Sequence, residues 1–67
     1  MDTLALKKLR CSKGYFTQAD MARAVGMRPS NYRNRENGKV RLSADELVVF
    51  CEVLGLSIED GIQMFLS

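Results

Sequence analysis

The side chains best equipped for chemistry in this 67-residue chain are hydrogen-bonding ones, gathered between Gln18 and Arg41. With Tyr32 turned inward on a helix, helical spacing sends residues 29, 30, 33 and 34 to the outward face, and Arg28 and Asn37 flank its two ends. That face carries Pro29, Ser30, Arg33 and Asn34. An arginine can donate two parallel bonds to O6 and N7 of guanine, an asparagine can pair with N6 and N7 of adenine, and a serine can read either. Pro29 offers only apolar surface, suited to a thymine methyl or to shaping the helix start. Arg28, Pro29, Ser30, Arg33 and Asn34 therefore form a candidate base-reading set, with solvated surface as the competing reading of Arg33 and Asn34. Gln18 at the start of a preceding helix, where the backbone donors and helix dipole point outward, is a candidate phosphate contact. Asn37, Lys39 and Arg41 are candidates for phosphates on the far side, and for the two cations plain solubility charge is the rival.

The chain is poorly supplied for catalysis. It has two widely separated cysteines, Cys11 and Cys51, and no histidine, so neither a zinc site nor a cysteine–histidine nucleophile can be assembled. Two reduced thiols, with Cys51 as a small core residue, are expected. No paired nucleophile and base appears, and so short a chain leaves little volume for a pocket, so we expect no enzyme, metal, cofactor or small-molecule ligand. No apolar run reaches the roughly 18 residues of a membrane span, and the N-terminus lacks the features of a signal peptide. One domain over residues 1–67, in the cytoplasm, is the expectation.

Charge is distributed unevenly. Residues 1–41 hold all ten basic residues against three acids (Asp2, Asp20, Glu36), leaving +7, whereas residues 42–67 hold five acids and no base, leaving −5. A basic half facing a polyanion and an acidic half turned away is the electrostatic pattern of a nucleic-acid binder, although solvated helical surfaces also produce it.

Five helices must position these residues. Leu6 and Leu9 make the inward face of a helix from about Thr3 to Ser12, stopped by Lys13-Gly14. Tyr15 and Phe16 link it to a second helix, capped by Thr17 with Asp20 three residues on and lasting to about Ala24. Ala22 leaves room for close packing, Gly26 suits a positive φ, and Met21, Val25, Met27 and Tyr32 fall inward, the spacing of a helix-turn-helix. The third helix starts near Pro29, where a missing N–H is harmless, and ends around Arg35. Ser43-x-x-Glu46 is a capping box opening a fourth helix from about Ala44 to Leu54, with Leu47, Val48, Phe50, Cys51 and Leu54 inward and Val49 outward. Ser57 caps a last helix, Ile58 to about Phe65.

In this order the pieces resemble the DNA-binding domain of the phage Cro and lambdoid repressor family, also called the Xre family. The likeness is carried by LKKLR in the first helix, TQADMARAVGM across the second helix and turn, RENGK after the third, and SADELVVFCEVLGLS in the fourth and its exit. It implies an all-α, five-helix, lambda-repressor-like fold, with base contacts on the outward set already named. It also implies a pair between Arg10, ending the first helix, and Glu36, after the third; two separately solvated charges are the alternative. Loss of one partner from a partly buried pair would cost roughly 3 kcal/mol or more. Three positions depart from the family pattern. The Tyr15-Phe16 link is one residue longer than usual, Arg35 replaces an apolar residue, and Leu42 stands where proline is common.

The expected function is a sequence-specific, double-stranded-DNA-binding transcriptional regulator, a Cro-like repressor that occludes an operator, since the fold uses up the chain. A homodimer, weak or DNA-assisted, on a palindrome with half-sites about one helical turn apart is the default for this architecture. Val49 and the apolar residues Ile62, Met64, Phe65 and Leu66 are the interface candidates. The alternative is a protein-interaction module, antitoxin-like or antirepressor-like, using the same fold and an exposed Met64-Phe65-Leu66 tail.

Overall fold

Capping chemistry sets most of the helix boundaries. The computed structural model describes residues 3–66 and contains α1 (Thr3–Ser12), α2 (Gln18–Val25), α3 (Pro29–Glu36), α4 (Ala44–Leu54) and α5 (Ile58–Leu66), with no strand among the described residues. Asp2, counted above with the acids, lies outside them. At α2 the Thr17 hydroxyl accepts from Asp20 N–H at 3.0 Å while the Asp20 carboxylate accepts from Thr17 N–H at 3.3 Å. Ser43 and Glu46 repeat this reciprocal cap at α4, and the Ser57 hydroxyl accepts from Asp60 N–H at α5. Gly26 ends α2 at φ 75°, a left-handed conformation that costs a residue with a Cβ but not glycine. Helices α2, α3 and α5 each run one residue beyond the expected end, to Val25, Glu36 and Leu66.

The core joins all five helices. Leu6, Met21, Ala22, Tyr32, Leu42, Leu47, Phe50, Cys51, Leu54 and Phe65 are buried, with Leu9, Val25, Met27 and Met64 packed against them. An aromatic row runs through it: the Tyr32 and Phe50 rings lie 5.7 Å apart, and Phe50 meets Phe65 edge-on at 5.9 Å. Leu42, in the position where the family often has proline, contributes to this core.

Three expectations about the C-terminal half need correction. Val48 is 44% exposed, whereas Val49 is half-buried and lines a shallow groove with Val25, Met27 and Phe50, so their faces are the reverse of those expected. Phe65 is 3% exposed and cannot serve an interface, because its ring completes the aromatic row. Met64 is half-buried against the core, which leaves Ile62 and Leu66 as the exposed members of the interface set. Gly61 sets the α4–α5 approach: a Cβ there would overlap Cys51 Sγ.

Candidate nucleic-acid interface

Helix α3 has two chemically distinct sides. Inward, Tyr32 and Glu36 are both 0% exposed, one turn apart. A buried carboxylate is costly unless paired and hydrogen-bonded, and Glu36 has three donors. Arg10 Nε donates to its Oε2 at 2.9 Å, the Tyr32 hydroxyl donates to the same oxygen at 2.6 Å, and Gln18 Nε2 donates to Oε1 at 3.1 Å. Arg10 also donates from Nη1 to the Tyr15 carbonyl at 2.8 Å, so α1, the link to α2, α2 and α3 meet at one polar hub. Burial pushes the Tyr32 hydroxyl far above the ordinary phenol range, and its bond to Glu36 adds to the rise.

Outward, Pro29, Ser30, Asn31 and Arg33 are exposed and Asn34 is half-buried. The chain turns back at the end of α3, where Lys39 N–H and Val40 N–H both donate to the Asn34 carbonyl, at 2.9 and 3.1 Å. Arg28 is the exposed N-cap residue of α3 and makes no side-chain cap bond. Asn37, Lys39 and Arg41 are exposed beyond the C-terminal end, and Asn37 and Arg41 line a groove of about 370 Å³ with Thr3 and Leu66. Gln18 is half-buried and already engaged, donating to Glu36 and accepting from Arg33 Nε at 3.3 Å. Of the first-turn donors of α2, Asp20 N–H is taken by the Thr17 cap.

This arrangement, a short basic helix with an outward polar face held by its buried side against a preceding capped helix, invites comparison with known proteins. A family model described as Helix-turn-helix matches residues 6–60, which runs from within α1 through α4 to the start of α5. The chain belongs to the Xre-type helix-turn-helix family, the family of Cro and the lambdoid repressors. No curated protein and no solved structure matches it. As a member of a DNA-binding family it is a DNA-binding transcription regulator, with the all-α fold of that family. Among the described residues no cluster of histidine, cysteine, aspartate or glutamate could hold a metal ion, and no helix is long and apolar enough to cross a membrane.

Two features of this Xre-type domain were not anticipated from its residues. Arg35, the departure from the family's apolar position, forms a two-point pair with Glu46, from Nε at 3.3 Å and from Nη2 at 3.1 Å. Burial opposes the charge of Glu46, but the Ser43 N–H and the Arg35 guanidinium outweigh it and hold the carboxyl below its usual range. The pair ties the end of α3 to the start of α4, a cross-helix register that local spacing does not encode. Asn31 is a further exposed polar side chain on α3, which lies beyond the outward set because it is offset from Ser30 around the helix. Its polarity was the one available signal.

Proposed function

We propose that this regulator is a Cro-like repressor that binds a palindromic operator as a weak homodimer and acts by covering it. The observation that carries the reading is Arg33, exposed on the outward side of α3 beside Pro29 and Ser30 while the opposite side of the same helix is fixed by the Glu36 hub. A helix so held can present Arg28, Pro29, Ser30, Arg33 and Asn34 to base edges, with Gln18, Asn37, Lys39 and Arg41 toward phosphates. Selection from random duplex DNA tests it. Arg33→Ala is expected to cost about 1–3 kcal/mol and relax preference at one base pair, while Lys39→Ala weakens all sequences alike and reduces the salt slope by about 1. Equal losses for both variants on selected and random DNA would overturn the assignment.

Single modules bury only about 600–1,000 Å² on DNA, which favours two copies on a site. Ile58, Ile62 and Leu66, spaced four residues apart on α5 and each nearly half exposed, supply an apolar stripe for the dimer. Ile62→Asp should turn cooperative operator binding into stepwise half-site binding without loss of helical circular dichroism. The same stripe supports the second reading, a module that binds another protein; a DNA affinity too weak to select any sequence would favour it. In the repressor reading the protein works in the cytoplasm, as one domain.

A further inference from the structure

We infer that Gln18 is a positioning residue for Arg33 and thereby a determinant of base specificity, an inference that rests on the reading of Arg33 as a base contact. The orientation of the Gln18 side chain follows from its neighbours. The Glu36 carboxylate, paired with Arg10, can only accept hydrogen bonds, so Gln18 must turn its amide nitrogen toward Oε1. The amide oxygen is thereby directed to the other side, where Arg33, which can only donate, supplies Nε at 3.3 Å. Neither end of the amide can be exchanged without placing donor against donor and acceptor against acceptor.

Among the described residues Gln18 is the one hydrogen-bond partner of the Arg33 side chain. Its use of Nε leaves the two terminal nitrogens, the fork that fits guanine O6 and N7. An exposed bond of this length adds little to folding; its effect is on direction. An arginine left to itself samples many rotamers and loses that freedom on binding, whereas one tethered at Nε to a buried hub is partly ordered beforehand. The relay from Arg10 through Glu36 and Gln18 ends at the reading side chain, so the hub fixes both the helix and one of its outward groups.

A role of this kind differs from a phosphate contact in what it changes. Full-length protein and the variants Gln18→Met, Arg33→Ala and the double variant are compared by selection from random duplexes, then by titration of the selected site and its single-base variants at one salt concentration. Gln18→Met is expected to reduce the guanine preference at the base pair read by Arg33 about fivefold, out of the roughly 5- to 150-fold that a bidentate arginine supplies. Preferences elsewhere stay unchanged, and in the Arg33→Ala background Gln18→Met removes no further preference. Should Gln18→Met fail to fold, Gln18→Asn, which keeps an amide but is one methylene short of spanning both partners, carries the same comparison. Uniform weakening on selected and random DNA with the base preference intact overturns the positioning role and leaves Gln18 a backbone contact. If Arg33→Ala itself leaves every base preference unchanged, it is the reading of Arg33 that fails.

Discussion

The two halves of the molecule are held together by different physics. Helices α1, α2 and α3 converge on a buried carboxylate with three donors, whereas α4 and α5 meet through Leu47, Phe50, Cys51 and Phe65 with Gly61 at the closest approach. Apolar packing is roughly proportional to buried area and tolerates repacking. A hydrogen-bonded hub is directional: each donor has one place to go. The half that carries the outward polar face of α3 is built on the directional device, and the half packed beneath it on the non-directional one.

That contrast can be broken most severely at its centre. Glu36→Ala would leave the Arg10 guanidinium and the Tyr32 hydroxyl buried without their acceptor, and a loss of about 3–5 kcal/mol is expected in urea denaturation. The triple variant Arg10→Met, Tyr32→Phe and Glu36→Leu removes the unpaired groups together and should recover much of that stability, yet it should not recover base selectivity, since Gln18 has lost its anchor. Recovery of both would show that the hub contributes stability alone.

In the apolar half the corresponding break is Gly61→Ala. The added methyl meets Cys51 Sγ, and about 1–3 kcal/mol should be lost. Because the conflict is one of volume, Cys51→Ala should relieve part of it, giving a non-additive pair in a thermal-unfolding cycle. DNA selectivity should be unchanged in every member of that cycle. A shift in base preference would mean that the halves are less independent than their bonding suggests.

Smaller effects appear at the two extremes of pH. The Tyr32 hydroxyl titrates higher in the folded chain than in the unfolded one, so its contribution is complete below about pH 10 and falls away as pH rises beyond it. Tyr32→Phe, costing about 1 kcal/mol at neutral pH through its lost bond, should flatten that alkaline decline. Glu46 titrates lower when folded, so its contribution is present above about pH 4.3 and is lost as pH falls through the depressed folded value. Glu46→Gln should remove this part of the acid decline, read as the unfolding midpoint between neutral and acid buffers. An unchanged acid profile would mean that the Arg35–Glu46 pair is no stronger folded than unfolded.

Legibility in the sequence follows the same division. Caps are local, so Thr17 with Asp20, Ser43 with Glu46, and Gly26 placed the helices to within a residue. The α4 run from Leu47 to Cys51 is apolar throughout, so its periodicity could not say whether Val48 or Val49 faced the core. Phe65 looks like part of an apolar tail because Ile62, Met64 and Leu66 beside it are also apolar; its spacing of four from Gly61, the one glycine of α5, is the available signal. The family resemblance implied the Arg10–Glu36 pair. The Gln18–Arg33 and Arg35–Glu46 contacts join residues 15 and 11 apart on different helices, and such pairs depend on a tertiary register that no local pattern carries.

The hub has a consequence for how a regulator of this build can change its target. Pro29, Ser30 and Asn31 are exposed and make no bond to Glu36, so in the proposed repressor reading single substitutions there can explore new operators while the scaffold persists. Arg10 and Glu36 have no such freedom, because a lone change at either leaves a buried charge without its partner. Divergence in operator choice should therefore proceed by independent steps on the exposed face of α3, and divergence of its foundation only by concerted replacement.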